Sequence, residues 1–287
     1  MKYLPAGIDE SILYKDISRA VRQALEEDIG SGDVSARLID AATRARGRVI
    51  TREAGIFCGS PWVVETCRQT DPTLSVEFAM EDGDTVAAGD LLFSLTGPAQ
   101  ALLTAERTML NFVQLLSGTA TRTGHYVRLI SHTSAILLDT RKTIPGLRLA
   151  QKYAVRCGGG SNHRLGLYDQ YLIKENHIAA AGSIDRAVRL ARQQHPQLKV
   201  EVEVETLEQL AEAIACSADI AMVDNFSVAQ TRKAVDMARG RIALESSGGI
   251  NEATITEIAE TGVDYISLGA LTKEVRPLDL SMRIEAV

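Results

Sequence analysis

Apolar and polar residues change rhythm several times along this chain. In residues 18–28 the apolar positions Ala20, Val21, Ala24 and Leu25 recur at helical spacing, and turn residues at 30–33 end the pattern. Over 45–95 the period shortens. Arg48-Val49-Ile50 and residues 74–78 read as strands and 62–67 as a short helix, with turns at Gly55, Gly59-Ser60-Pro61, Asp82-Gly83-Asp84 and Gly89-Asp90. Residues 99–130 return to helical spacing through Leu102, Leu103, Met109, Leu110, Val113 and Leu116, with an interruption expected near Gly118. This helix is placed to join two domains.

Beyond it, strand candidates at 135–138, 170–173, 200–204, 220–223, 242–244 and 265–268 alternate with amphipathic helices. Such a series predicts an α/β fold, either an incomplete TIM-like α/β barrel or a doubly wound open sheet. The glycines favour the barrel. Ser246-Ser247-Gly248-Gly249 follows the second-last strand and Gly269-Ala270 the last, where many such barrels bind phosphate. A helix expected to begin near Asn251 would add its positive end. The predicted division is an N-terminal α/β sandwich over 1–115, rejoined by the C-terminal tail, and a barrel over 116–287.

Charge narrows the partners. A net charge of −6 argues against a general nucleic-acid surface, so any anion site must be local. The first ten residues lack the basic and apolar regions of a targeting signal, and no later run is long enough to cross a bilayer, so a cytoplasmic protein without membrane partners is expected. Cys58, Cys67, Cys157 and Cys216 form no CxxC pair and read as buried reduced thiols.

Candidate chemistry sits where the strands stop. These ends supply Arg141 and Lys142, then Lys174, then Glu201, Glu203 and Glu205, then Asp224-Asn225, then Glu245 and Ser247, which a barrel would gather at one mouth. Gly158-Gly159-Gly160 precedes His163 and Arg164, and three adjacent glycines favour a ligand-contacting loop over a plain connector. In 200–205 valines and glutamates alternate, so one face meets the helices and the other the interior. A glutamate near the strand's end, with Asp224, could hold Mg²⁺ directly or through water; salt bridges to Lys142 and Lys174 are the competing role. The excess of cations points to a small polyanionic substrate, such as a dicarboxylate with a phosphorylated partner.

Two other readings compete with this one. Residues 81–95 have the turn and strand rhythm of lipoyl or biotinyl carrier domains, without the modified lysine. A barrel aldolase could use Lys142 or Lys174 as a Schiff base.

Longer strings carry a resemblance. ERTMLN at 106–111, DTRKTIPGLR at 139–148, GGGSNHRLGLYD at 158–169, KENH at 174–177, EVEVE at 201–205, DNF at 224–226 and ESSGGI at 245–250 resemble the quinolinate phosphoribosyltransferase family. EEDIGSGDVS at 26–35 and GALT at 269–272 fit as well, so the likeness runs over about 17–280. It implies reaction of quinolinate with phosphoribosyl pyrophosphate to nicotinate mononucleotide, pyrophosphate and CO₂, with Mg²⁺. The molybdenum-associated relatives of the family are similar over much of the barrel, but the intact TRKT, NHR and KENH strings favour the quinolinate enzymes. The resemblance further implies a homodimer in which Arg107 reaches the partner's site. Arg141, His163 and Arg164 would grip quinolinate, and Lys142 and Lys174 would contact substrate and phosphoribosyl groups, Lys174 orienting the departing carboxylate or supplying a proton. Glu203 and Asp224 would serve ribose hydroxyls and the metal. Ser247, Gly248 and Gly269 would form the 5′-phosphate loop, with Lys273 where some members have His.

Overall fold

The computed structural model describes residues 2–5 and 7–286; Met1 and Ala6, within the stretch read for a targeting signal, lie outside the described residues. The chain divides into two compact units. The first comprises the chain up to Gly124, Thr143–Gly159 and the chain from Leu271; the second comprises His125–Lys142 and Gly160–Ala270.

The first unit opens with α1 (Glu10–Ile29), started by Asp9, whose carboxylate accepts the Ile12 N–H at 2.9 Å. Leu13, Ile17, Ala20, Val21 and Leu25 form its buried stripe. There follow β1 (Arg44–Thr51), β2 (Gly55–Ile56), α2 (Ser60–Thr70), β3 (Ser75–Phe78), β4 (Thr85–Val86), β5 (Leu91–Pro98) and α3 (Ala99–Ile130), the last six residues of α3 belonging to the second unit. The expected break at Gly118 is absent, and α3 runs through it. Gly118 serves an approach instead: a Cβ there would lie 2.2 Å from the Arg276 carbonyl oxygen. The turn between β4 and β5 offers no lysine for a carrier group.

In the second unit β6 (Ile136–Leu138) leads out; α4 (Arg148–Cys157), next in the chain, belongs to the first unit. The second unit continues through β7 (Tyr171–Ile173), α5 (Glu175–Ala181), α6 (Ile184–Gln194), β8 (Val200–Val204), α7 (Leu207–Ala215), β9 (Ile220–Asp224), α8 (Val228–Ala238), β10 (Ala243–Ser247), α9 (Ile255–Ala259) and β11 (Tyr265–Ser267). Its six strands pair in the order β6-β11-β10-β9-β8-β7, every pairing parallel. Strands β6 and β7 are edges, and a single bridge, Leu138 to Ser161, extends the β6 side, so the barrel stays incomplete. Ser183, Thr206 and Ser227 each cap the following helix by accepting a backbone N–H; Thr206 and Ser227 thereby fix where β8 and β9 hand over to α7 and α8, and Ser183 fixes where α6 starts after α5.

After α10 (Ala270–Lys273) the chain ends in β12 (Leu280–Ala286), which pairs antiparallel with β1 at the edge of the first unit's sheet, order β12-β1-β5-β3. Cys58, Cys67 and Cys157 are buried, Cys216 is half-buried, and all four are free thiols. Among the described residues no helix is long and apolar enough to cross a membrane.

Candidate active site

Parallel strands place all their C-terminal ends on one side, so residues that follow different strands converge. Arg141 and Lys142 follow β6, Lys174 follows β7, Glu203 lies on β8, Asp224 closes β9 and Ser247 closes β10. With His163, Arg164 and Gly248 they line one cavity of about 540 Å³, so nine of the twelve residues singled out as site candidates meet. Three stand elsewhere. Gly269 lies just behind the wall, where a Cβ would come 2.9 Å from the Lys142 Cδ. Lys273 belongs to the first unit, exposed, 3.4 Å from the Glu274 carboxylate. Arg107 is an exposed position of α3 in the first unit.

The glycine-rich segment is held in place. Asp139, fully buried at the end of β6, accepts the His163 N–H at 2.9 Å and the Asn162 side-chain amide at 2.6 Å. Asp169 then accepts the N–H groups of Leu165 and Gly166 at 2.6 and 2.9 Å, closing the turn. Arg164 is thereby delivered close to Arg141, and burial together with the Arg141 charge pulls its pKa below the ordinary guanidinium value. Two like charges held together in a half-enclosed cavity favour an anion between them.

Facing these cations are two carboxylates. Lys174, at the N-terminal end of α5, forms an ion pair with Glu203, and its backbone N–H donates to His177 Nδ1 at 3.0 Å. Asp224 accepts the Asn225 side-chain amide at 2.7 Å. Two hard oxygen donors on one wall would suit a magnesium ion that keeps most of its waters. They do not make a closed protein cage, because Glu203 already has an ammonium partner.

The loop expected to bind phosphate differs from expectation. No helix begins near Asn251; α9 starts at Ile255 and is five residues long, so a helix end contributes little. The backbone does more. Gly248 and Gly249 both have positive φ, and Asn225 N–H donates to the Ser247 carbonyl at 2.9 Å, folding two strand-end turns together.

Below the cavity lies a group that strand-end reasoning did not separate from its neighbours. Along β8 Glu201 is fully buried and Glu203 half-buried, and Glu205 just past the strand is exposed, so one alternating face runs from floor to mouth. His163 Nε2 lies 3.0 Å from Glu201 and 3.4 Å from Glu245, both carboxylates enclosed. Burial pushes Glu201 up to about 7, and burial plus the Glu201 charge push Glu245 up to about 8. Leu172 and Met222, inward positions of β7 and β9, supply an apolar wall that no charged motif signals.

Comparison with known proteins agrees with this geometry. The family model described as quinolinate phosphoribosyl transferase, C-terminal domain, matches residues 119–283, and that of the N-terminal domain matches 33–117. The chain is 44% identical to a probable nicotinate-nucleotide pyrophosphorylase [carboxylating] of Bacillus subtilis, over 90% of each chain. It is also 44% identical to the nicotinate-nucleotide pyrophosphorylase [carboxylating] of Mycobacterium leprae, over 91% of this chain and 95% of the relative. The solved structure of the nicotinate-nucleotide pyrophosphorylase from Francisella tularensis is similar at TM-score 0.91 and 49% identity, covering 95% of this chain and 97% of that one.

Proposed function

Since the chain belongs to the quinolinate phosphoribosyltransferase family, we infer that the cavity at the strand ends transfers phosphoribosyl from phosphoribosyl pyrophosphate to quinolinate. The products are nicotinate mononucleotide, pyrophosphate and CO₂. The observation that carries this reading is the composition of one cavity: Arg141, Lys142, Arg164 and Lys174 opposite Glu203 and Asp224, beside an apolar wall of Leu172 and Met222. A flat dianion needs both cations and a dry face, and an activated sugar needs carboxylates for its hydroxyls.

In the first step the pyridine nitrogen forms a bond to ribose C1 as the C1–oxygen bond breaks, its electron pair leaving with pyrophosphate. Positive charge develops at C1. Glu203 and Asp224 orient the ribose hydroxyls and stabilise that charge, already fixed in direction before reaction. The Gly248 turn offers backbone N–H groups to the 5′-phosphate, as anion-binding turns do. Magnesium, when held at Glu203 and Asp224 through water, would neutralise charge on the departing pyrophosphate.

The quaternised ring then withdraws electrons from the adjacent carbon, whose carboxylate leaves as CO₂ while the bonding pair stays on the ring carbon and takes a proton. Lys174 orients that carboxylate or delivers the proton, directly or through water. Its ion pair with Glu203 keeps the ammonium at the cavity wall and disfavours a Schiff-base role.

The working form we propose is a homodimer in the cytoplasm, with Arg107 completing the partner's site. Supporting it are the exposure of Arg107 on α3 and four cysteines without a disulfide. The direct test is incubation with quinolinate, phosphoribosyl pyrophosphate and Mg²⁺ while following CO₂ release. Nicotinate in place of quinolinate should release none, and a protein that makes no CO₂ from quinolinate is not this enzyme.

A further inference from the structure

His163 lines the cavity, yet neither ring nitrogen is available to a substrate. Nδ1 accepts the backbone N–H of Arg164 at 2.8 Å, and a nitrogen that accepts a hydrogen bond carries no proton. A neutral ring would then carry its proton on Nε2, which lies 3.0 Å from the buried Glu201 carboxylate and 3.4 Å from Glu245. The imidazole is turned toward the floor.

Glu201 reaches Arg164 by a second route. It accepts the Gln170 side-chain amide at 2.7 Å, and the Gln170 carbonyl accepts an Arg164 guanidinium N–H at 3.4 Å. One fully buried carboxylate thus braces Arg164 at both ends, at its backbone through His163 and at its guanidinium through Gln170. Buried polar groups linked this way hold a rotamer more firmly than any single contact.

We propose that Glu201 is a positioning residue for quinolinate recognition, holding His163 as the neutral Nε2–H tautomer so that His163 steadies Arg164 instead of lending charge to the substrate. The proposal rests on the quinolinate reading above. It moves the charge that grips the substrate onto Arg141, Arg164 and Lys142, and it gives Glu201 a role that differs from that of Glu203 two residues on, although both face the interior.

Nitrogen-15 NMR of the histidine-labelled full-length protein reads the tautomer without any turnover, with His163 identified by the signal lost in His163→Gln. The expected spectrum at pH 7.5 shows a pyridine-like Nδ1 and a pyrrole-like Nε2, unchanged when quinolinate is added. Two pyrrole-like nitrogens, before or after quinolinate, would overturn the assignment. In steady-state kinetics Glu201→Gln should raise KM for quinolinate at least about tenfold while KM for phosphoribosyl pyrophosphate moves less than about twofold. Equal rises in both would mean general damage and would sink the positioning role. Asn can offer Oδ1 to the Arg164 N–H where Ala cannot, so His163→Asn should keep about tenfold more quinolinate affinity than His163→Ala; equal losses would refute the bracing. If the wild type releases no CO₂ the functional reading falls, while the NMR result still stands or fails separately.

Discussion

At Gly248 a single missing Cβ decides whether two turns can meet. Its φ is +88°, and a Cβ would lie 2.3 Å from Asn225 Oδ1 and 2.8 Å from Asn225 N, so both strain and overlap oppose any side chain. Gly248→Ala is expected to cost about 1–3 kcal/mol and to raise KM for phosphoribosyl pyrophosphate more than KM for quinolinate. Thermal melts and steady-state kinetics check both, and an unaltered protein would show that the turn has slack. Glu245 gives a pH signature. Its folded pKa of about 8 stands above the ordinary 4.5, so between those values the folded protein keeps a proton that the unfolded chain has released. Stability therefore falls as pH rises through that window, and the loss is complete above pH 8. Melting temperature measured from pH 5 to 9 should decline, and less steeply in Glu245→Gln; parallel curves would remove Glu245 as the source. Asp224 was legible as a cavity residue because it stands at a strand end, whereas Glu203 was picked out from its neighbours only by the family resemblance. Glu201 was named only in a row with Glu203 and Glu205, because alternation treats the three alike and only packing separates floor from mouth.

Elements were legible where periodicity governs them and less so where a distant contact does. The six strands of the second unit lie where apolar runs predicted them, since a parallel strand covered on both faces admits few polar residues. Gly118 misled because local propensity reads glycine as a helix breaker, while its actual partner, the Arg276 carbonyl, is distant in sequence. The two effects predict opposite signs for Gly118→Ala. Helix propensity alone would stabilise by about 1 kcal/mol. A Cβ 2.2 Å from a backbone oxygen cannot be accommodated by a rotamer change, so overpacking, about 1–3 kcal/mol, should win. A lower urea midpoint is expected; a higher one would show that the tail moves aside freely. Likewise α4 is amphipathic by any count, but a period cannot say which core it serves. Its Ala150, Tyr153 and Ala154 pack with Leu13, Ile17 and Trp62 of the first unit.

Over the whole molecule, a chain of net charge −6 concentrates four cationic side chains in one cavity, so attraction for an anion is local to that mouth. The proposed homodimer makes a sharp prediction. If Arg107 serves the partner's site, Arg107→Ala and Lys174→Ala should each be nearly inactive alone, whereas a 1:1 mixture after subunit exchange should recover roughly a quarter of wild-type activity. In each hybrid dimer one site escapes both substitutions. A mixture no better than its parts would place Arg107 in its own subunit's chemistry or in none. The pairing of β12 with β1 has a further consequence. During synthesis, the outer edge of β1 emerges from the ribosome with its hydrogen-bonding groups exposed and waits while all of the second unit is made. Such a long-range closure is slow, and an open strand edge invites intermolecular pairing. The nascent first unit should therefore depend on chaperones longer than its position early in the chain would suggest.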